Sequence, residues 1–545
     1  MSHREKSNSY KKTNSIRNKK TKRDFDENIF NLIKQGNILM ERESFEEASL
    51  IYARVINKQP KNSVALSNLG ASLIKLGKIS EATSILEYAL ELNPQDSNAR
   101  INLGAIYQSK GDFSGALQNA LEAVSLNPTS ALAFNNLGCA FANINMLNEA
   151  LHAYETAQIL DKSSLESQLN IASTLSRMGR KKEALIKYEE LIKATPDEKK
   201  SFKDLVKFFA GCLYLKIGNL TKGWSYYESG FNPSAPTGGA RAPFRRFSFP
   251  KWEGEDLTGK RLLIWREQGL GDEIRFSTCL IDFLESKGEV TFECSERLVK
   301  TYSRSFPKFK VRPELYDIIN GEFIINDKFD YHIPIGSLPK ILRSDISCFN
   351  KQKPFIKPNT EEVQLFESRL KPYRHKKIVG ICWRSGKLDP TRNQEYTSLI
   401  DWKEILTLND FIFVNLQYGE CEEEIVEVEN LFNVKIIRWQ DLDLKNELDR
   451  VFSLISCLDC VISAPTAVET MSGALGVPTI YLASKASWVT LGTEIGIYPW
   501  FPNTISCEQP DNGFAAHALA TVPEILRAIF LNGISSAKKL AGRKN

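Results

Sequence analysis

Residues 63–96 read SVALSNLGASLIKLGKISEATSILEYALELNPQD, and residues 97–130 repeat the pattern as SNARINLGAIYQSKGDFSGALQNALEAVSLNPTS. The pattern extends in both directions, since proline, glycine and alanine recur every 34 residues. The recurring residues are Pro60, Pro94, Pro128 and Pro196, with Lys162 in the missing slot; Gly36, Gly70, Gly104 and Gly138, continued by Ala172; and Ala48, Ala82, Ala116, Ala150 and Ala184. A fixed period of this length is typical of a solenoid built from one repeated unit.

Each repeat predicts two antiparallel helices. The small residues let the two helices approach closely, and larger residues at neighbouring positions fill the space between hairpins. These larger residues are Leu69, Leu103, Leu137, Ile171, Tyr52, Leu86, Tyr154 and Tyr188. Gly77, Gly111 and Gly179 fall at the turn between the helices, where a positive φ costs glycine little. The proline near the end of each repeat stops the second helix.

These residues match the tetratricopeptide pattern over residues 29–196, and a sixth, irregular hairpin is predicted to end near residue 231. The resemblance implies an α-solenoid over residues 27–231, whose concave face suits a peptide or a partner protein. The alternative is that the array only spaces or dimerises the rest of the chain. A homo-oligomer is therefore compatible with the sequence, which does not fix the oligomeric state.

Composition and charge narrow the class of protein. A chain of 545 residues with 42% hydrophobic and 25% charged residues is typical of a globular protein with several domains. Residues 1–23 hold nine Lys or Arg against one acid, so the net charge of +5 leaves −3 on the rest. This balance argues against a specific nucleic-acid partner. The basic tail, residues 1–26, is predicted to be disordered; it is either simply solvated or makes weak contact with an anionic surface.

The sequence predicts a cytoplasmic protein without a transmembrane segment, because it lacks both a run of about 18 apolar residues and an apolar N-terminal stretch. Ten scattered cysteines suit a reducing compartment. Cys457 and Cys460 flank an apolar run and are interpreted as core residues. The five histidines are too widely spaced to suggest a zinc motif, so no metal site is predicted.

Beyond a Pro/Gly/Arg-rich linker, residues 232–257, short apolar strands alternate with helices. This alternation predicts two Rossmann-like α/β halves, residues 258–375 and 376–545, the second ending in a C-terminal helix. Strands are predicted at 262–265, 290–294, 378–383, 411–416, 434–437, 461–463 and 479–482. The glycine-rich turn QGLGD, residues 268–272, is predicted to precede a helix over 273–287. A ligand cleft is expected at the carboxyl ends of the strands.

The order of segments resembles heptosyltransferase-like glycosyltransferases of the GT-B fold, especially bacterial proteins in which this module follows tetratricopeptide repeats. RLLIWREQGLGDEIRF (261–276) is similar to the family's opening strand, turn and helix. Further blocks follow in the family's order: GNLTKGWSYYE (218–228), DYHIPIGSLP (330–339), IVGICWRSG (378–386), FVNLQYGE (413–420), ELDRVFSLISCLDCVISAPTAVETMSGALGVPTIYL (447–482) and YPWFP (498–502).

The resemblance implies transfer of a sugar from a nucleotide-diphosphate donor, with inversion, without an essential metal and without a cofactor. The acceptor would be a protein or a glycoconjugate captured by the repeats, an arrangement similar in outline to the O-linked N-acetylglucosamine transferases. Asp272 matches the family's general base, and Gly271 beside it is expected to contact the donor. The alternative for Asp272 is that it caps the predicted helix starting at Glu273.

The donor contacts are also implied by the resemblance. The expected diphosphate contacts are Arg384, Ser385, Lys387, Arg392, Thr466 and Ala467, and Glu469 is assigned to the ribose. Simple solvation is the alternative for the basic residues, and helix capping is the alternative for Thr466.

Two departures from the family favour a second hypothesis. Where many relatives carry Asp and His, this chain has Pro465 and Thr470. The alternative hypothesis is therefore a protein-interaction scaffold with a degenerate, non-catalytic GT-B module. Asp441 and Asp443 resemble the metal-binding Asp-x-Asp of another glycosyltransferase fold, but they are predicted to cap a helix.

Overall fold

The computed structural model describes residues 29–231, 240–317, 322–323, 327–386, 396–483, 487–508 and 519–543. The predicted basic tail, Lys387 and Arg392 lie outside these residues. The chain divides into two compact units, Met1–Thr174 and Leu175–Asn545. The last hairpins of the predicted repeat array therefore belong to the same unit as the α/β part.

The first unit consists, in its described part, of antiparallel helical hairpins. Its helices are α1 (29–41), α2 (Phe45–Lys58), α3 (Ser63–Lys75), α4 (Ile79–Leu92), α5 (Ser97–Lys110), α6 (Phe113–Leu126), α7 (Ala131–Asn143), α8 (Leu147–Leu160) and α9 (Leu165–Arg177), which runs across the boundary. Asn62, Asp96 and Ser130, spaced by 34 residues, cap three of these helices by accepting hydrogen bonds from backbone N–H groups. The predicted helical solenoid is confirmed.

The turn between the two helices of a repeat requires a left-handed residue. Gly77, Gly111 and Gly179 have φ between 74° and 79°, as predicted. Glu43 and Asn145 occupy the same position of their repeats and adopt the same conformation, with φ of 59° and 62°. The turn geometry is thus a property of the repeat, and glycine is only its least strained occupant.

The helices of three hairpins pack tightly at the repeated glycine. A Cβ atom on Gly36 or Gly70 would lie 2.5 Å from the side chain of Tyr52 or Leu86. Gly138 faces Tyr154 in the same way. The third repeat differs, because a Cβ atom on Gly104 would meet no atom closer than 3.5 Å. The position equivalent to Leu86 and Tyr154 is an alanine there, Ala120.

The second unit begins with three more helices and continues into a parallel sheet. The helices are α10 (Lys181–Ala194), α11 (Lys200–Lys216) and α12 (Leu220–Tyr227). The first α/β half contains β1 (Arg261–Trp265), α13 (Leu270–Phe276), β2 (Glu289–Cys294), α14 (Val299–Ser305), β3 (Lys310–Pro313), β4 (Tyr316–Asp317), β5 (Glu322–Phe323), β6 (Tyr331–Pro334) and α15 (Leu338–Leu342). The four main strands are parallel in the order β3-β2-β1-β6, and β4 and β5 form a separate antiparallel pair.

The second half is a six-stranded parallel sheet with the order β12-β11-β10-β7-β8-β9. Its elements are α16 (Thr360–Leu370), β7 (Lys377–Cys382), α17 (Lys403–Leu406), β8 (Phe411–Asn415), α18 (Glu422–Phe432), β9 (Ile436–Ile437), α19 (Leu448–Ser456), β10 (Cys460–Ser463), α20 (Ala467–Leu475), β11 (Thr479–Ala483), β12 (Thr504–Glu508), α21 (Val522–Asn532) and α22 (Ile534–Arg543). This order is doubly wound, and it reverses between β7 and β10. The predicted α/β class is confirmed.

Five strands, β3, β4, β5, β6 and β12, were not predicted from the sequence. The first four are at most four residues long, and β12 carries polar residues on a buried strand: Thr504 and Ser506 are at most 1% exposed. The predicted helix over 273–287 is wrong. The α-helix ends at Phe276 and continues as a 3₁₀-helix, Ser277–Phe283. The hydroxyls of Ser277 and Thr278 donate to carbonyls three residues earlier, which favours the tighter winding.

Residues 240–257, within the predicted linker, pack on the first sheet. Arg241 is fully buried, and the backbone N–H of Trp252 donates to the carbonyl of His332 in β6 (2.8 Å). The guanidinium of Arg241 pairs with Glu267 at the end of β1 and with Glu228 after α12. In the part of the chain that the structure describes, no helix is long and apolar enough to cross a membrane.

Candidate functional site

The two α/β halves meet where α13 and α20 begin. At Gly271 the backbones come close together, since a Cβ atom there would lie 3.6 Å from Cα of Ala467 and 3.7 Å from its nitrogen. Both residues are predicted site residues, and each follows a strand of its own sheet. The turn after β1 therefore faces the turn after β10, next to the strand-order reversal of the second sheet.

The turn after β1 is shaped by one left-handed residue, Gln268, with φ of 59°. Gly269 is the N-cap of α13 in extended geometry, so the helix begins at Leu270. Asp272 is therefore in the first turn of the helix and is not its cap, and its side chain accepts from Arg275. The capping alternative for Asp272 is wrong. A carboxylate at this position is still favoured by the positive end of the helix dipole.

The turn is also held by α12. Tyr227 Oη lies 2.5 Å from Gln268 Nε2, which donates to it. The Tyr227 ring contacts the rings of Trp488 and Phe276, at centroid distances of 5.4 and 6.3 Å. Trp224, one turn earlier in α12, packs edge-on against Trp488. The last helix before the α/β part is therefore a direct support of the turn that carries Asp272.

A charged network joins the two halves at this point. Arg275 Nη1 donates to Asp272 (2.8 Å), Nη2 to Glu469 of α20 (3.4 Å), and Nε to Tyr498 Oη (3.0 Å). The Arg275 side chain is only 9% exposed, whereas Asp272 is 31% exposed. Asp272 is thus the most exposed member of this network.

Glu469 is fully buried, and its Oε1 has no hydrogen-bond partner among the described residues. Burial raises the pKa of this carboxyl above its ordinary value. The side chain is directed at Arg275, in the interface between the halves. The structure therefore places Glu469 inside the network, beside the predicted donor site.

Thr466 is the N-cap of α20, and its side chain accepts from the backbone N–H of Val468. The capping alternative for Thr466 is confirmed. Its hydroxyl also lies 3.2 Å from Ser463 Oγ and 3.5 Å from Cys382 Sγ, which joins the ends of β10 and β7. Ala467 then opens the helix, where unpaired amides favour an anion.

Arg384 follows β7 but its charge is already paired. Its guanidinium forms an ion pair with Glu424 of α18 and also donates to the carbonyl of Glu420 (2.5 Å). The backbone amides of Trp383 and Arg384 both donate to the buried Gln417 side chain. Ser385 is buried in the same loop.

Other predicted groups have structural partners. Asp441 does not cap α19, whose N-cap is Glu447; it pairs with Arg369 and Arg450 instead. The hydrogen bond from Arg369 lowers the pKa of Asp441 to about 2. Cys457 and Cys460 are buried, which confirms their prediction as core residues. Within the described ranges no cluster of His, Cys, Asp and Glu could hold a metal ion.

Sequence reasoning missed Arg275 and Tyr498, although both lie inside blocks that carry the family resemblance. It also missed a set of asparagines, separated by multiples of the repeat length, that each donate a side-chain hydrogen bond to the preceding hairpin. Asn68 donates to the side chain of Asn37 (3.0 Å), Asn136 to the Ile101 carbonyl (3.3 Å) and Asn170 to the side chain of Asn135 (3.0 Å). The 34-residue spacing was the available signal for this set.

Similarity to known proteins agrees with the repeat architecture. Two segments, residues 73–133 and 165–198, match tetratricopeptide repeat families. Protein FlbA of Caulobacter vibrioides is 35% identical over 311 residues, which are 55% of this chain and 51% of FlbA. The chain thus spans about half the length of that relative. The N-terminal hairpins are tetratricopeptide repeats.

Two solved structures are similar to part of the chain. TTC0263, a thermophilic tetratricopeptide protein of Thermus thermophilus, is 22% identical and aligns over 31% of this chain and 92% of its own, with a TM-score of 0.29. The pilF protein of Pseudomonas aeruginosa is 19% identical over 37% of this chain and 89% of its own, with a TM-score of 0.32.

Proposed function

We propose that the chain is a glycosyltransferase that moves a sugar from a nucleotide-diphosphate donor to a protein or glycoconjugate acceptor, with inversion and without an essential metal. One observation carries the proposal. The partly exposed carboxylate of Asp272 lies in the first turn of α13, which contacts the N-terminus of α20 beside the strand-order reversal of a doubly wound sheet. Nucleotides bind preferentially at such reversals.

The proposed reaction needs one base and one anion site. The acceptor hydroxyl attacks the anomeric carbon while the bond from that carbon to the donor diphosphate breaks. Asp272 takes the hydroxyl proton, the new carbon–oxygen bond forms the glycoside, and the nucleoside diphosphate leaves with the bonding electron pair. The N-terminal amides of α20, opened by Ala467, would stabilise the charge on the leaving diphosphate.

Arg275 is a positioning residue in this proposal. It holds Asp272 from one side while Tyr498 and Glu469 fix its own guanidinium. The tetratricopeptide repeats, which are protein-interaction elements, would supply acceptor binding.

The test starts with the donor, because donor binding needs no known acceptor. A thermal-shift series with nucleoside diphosphates should show stabilisation by one base; saturation at about a hundred times Kd adds roughly 2.7 kcal/mol. With the corresponding nucleotide sugar and a cell extract as acceptor source, Asp272→Asn should reduce release of the nucleoside diphosphate by at least about a hundredfold. Glu285→Gln, on a carboxylate that is 93% exposed in the same half, is the matched control. An Asp272→Asn protein that folds and retains full transfer would refute the assignment.

A non-catalytic scaffold is the second candidate, and specific contacts favour it. Thr470, at the position of the family's histidine, is fully buried and donates to the Ala467 carbonyl. Arg384 is paired with Glu424, so its charge is partly neutralised before any donor binds. A folded protein that responds to none of the nucleoside diphosphates would favour the scaffold.

A further inference from the structure

The first α/β half carries a cleft at the N-terminal edge of its sheet. Its volume is about 470 Å³, within the range of small-molecule sites. The lining residues are Arg246, Phe247, Ser248, Phe249, Arg261, Asp327, Lys328 and Phe329. Arg261 is the first residue of β1, whereas the turn that carries Asp272 follows the last. One strand length, roughly 16 Å, therefore separates the two places.

One side of this cleft is aromatic. The rings of Phe247 and Phe249 are 5.3 Å apart, and those of Phe249 and Phe329 are 5.8 Å apart. His332 stacks on Phe247 at 3.9 Å and meets Phe249 edge-on. Burial lowers the pKa of His332 to about 4, so this ring is neutral at pH 7. Phe247 already stacks on His332 and contacts the guanidinium of Arg245, 5.2 Å from the ring centroid. Phe249 and Phe329 are therefore the partly exposed rings of this wall on which a ligand can stack.

The other side of the cleft is cationic. In the described part of the chain, neither Arg246 nor Lys328 has a carboxylate within ion-pair distance, and both side chains are exposed. Arg261 makes a long ion pair with Asp330, at 3.8 Å. Asp327, the acid in the lining, is already paired with Lys310 (2.8 Å) and Arg312 (2.7 Å). The positive charge of the lining is therefore largely uncompensated.

We propose that this cleft binds a nucleoside phosphate, with the base on the phenylalanine wall and the phosphate between Arg246 and Lys328. Aromatic side chains stack on any base, and guanidinium and ammonium groups bind phosphate oxygens. The volume suits a single nucleotide, and the net charge of −3 outside the basic tail argues against a long nucleic acid. The site is separate from the proposed donor cleft.

Hydrogen exchange on the full-length protein tests the site directly. The probes are ADP, GDP, CDP and UDP, with inorganic pyrophosphate and the free nucleosides as separate arms. At least one nucleoside diphosphate should slow amide exchange in residues 244–251 and 327–332. Pyrophosphate and the nucleoside alone should do so at least tenfold more weakly. Protection by pyrophosphate equal to that by the nucleotide would overturn the assignment to a nucleotide, as would the absence of protection.

Variants distinguish this site from the donor cleft. Arg246→Glu, a change at an exposed side chain, and Phe249→Ala should each weaken the protection at least tenfold. Lys308→Glu, on a lysine that is 64% exposed in the same half, should not. Asp272→Asn should leave the protection of residues 244–251 and 327–332 intact, because it changes only the proposed donor site. Protection confined to residues 266–276 and 464–475 would support donor binding and refute the second site.

Discussion

Two glycines at the same position of neighbouring repeats should respond oppositely to alanine. Gly104 lies inside α5 and Gly138 inside α7, one repeat later. At both sites, alanine should gain about 0.8–1 kcal/mol of helix propensity. At Gly104 the new Cβ would lie 3.5 Å from the nearest atom, the Ala116 carbonyl oxygen, which is ordinary contact. Gly104→Ala should therefore stabilise the first unit by about 1 kcal/mol.

At Gly138 the new Cβ would lie 2.6 Å from two carbons of the Tyr154 ring. The ring must move, and overpacking of this kind costs about 1–3 kcal/mol. The movement would also strain the 3.3 Å hydrogen bond from Tyr154 Oη to Cys139 Sγ. Because the propensity gain is common to both sites, the difference between the two variants equals the overpacking cost, about 1–3 kcal/mol. This difference corresponds to several degrees in Tm.

The assay must report on the first unit alone. All eight tryptophans lie between residues 224 and 500, so tryptophan fluorescence follows only the second unit. Native-state hydrogen exchange of peptides covering α5 and α7 gives the free energy of opening for each variant, and fluorescence serves as the control. Equal shifts of the same sign in Gly104→Ala and Gly138→Ala would refute the packing argument.

Three further predictions concern packing and charge. Ala120→Leu should stabilise the third repeat by about 1–2 kcal/mol, measured by the same exchange, because Leu86 fills the equivalent space opposite Gly70; a loss of stability would contradict this. Arg241→Ala should lower the free energy of unfolding by about 3–5 kcal/mol, because it leaves the Glu267 carboxylate buried without its ion-pair partner. Urea unfolding followed by tryptophan fluorescence measures this change, and a loss below about 1 kcal/mol would contradict the prediction. The pKa of His332 in the folded protein, about 4, lies below its ordinary value of 6.5, so the unfolded chain takes up the proton first as the pH falls. The free energy of unfolding should therefore decrease from pH 6.5 to 4. His332→Phe should lose this component of the pH dependence, and an unchanged profile would contradict the assignment.

The repeat array was predictable because its signal is local and recurs. One period fixes the helices, their turn and the glycine contact, and each repeat contacts mainly its neighbours. The exception is instructive: Glu43 and Asn145 adopt the left-handed turn without glycine, so the turn is imposed by the hairpin and not by the residue type. The strands of the α/β part were predictable where a continuous apolar run marks them, as in β7 and β10.

The site was predictable only in part, because its geometry depends on contacts between distant residues. Arg275 and Tyr498 are 223 positions apart, and nothing in the sequence near either indicates the other. The sequence placed Asp272 in the turn before the helix, whereas it lies in the first turn of the helix itself. The start of the helix depends on the left-handed Gln268, which the sequence does not indicate. The ion pair of Arg384 with Glu424 could not be predicted either, because it joins the loop after β7 to α18, which is distant in the sequence.

The contact of α12 with the turn after β1 also bears on how such proteins are assembled in evolution. Tyr227 and Trp224 belong to the hairpin series by sequence, yet they pack on Phe276 and Trp488, and Tyr227 also accepts a hydrogen bond from Gln268. Recombination at the apparent junction near residue 231 would strip the α/β part of these supports. An α/β part that is transferred between genes as a unit therefore has to include α11 and α12, and repeats can be gained or lost only upstream of these two helices.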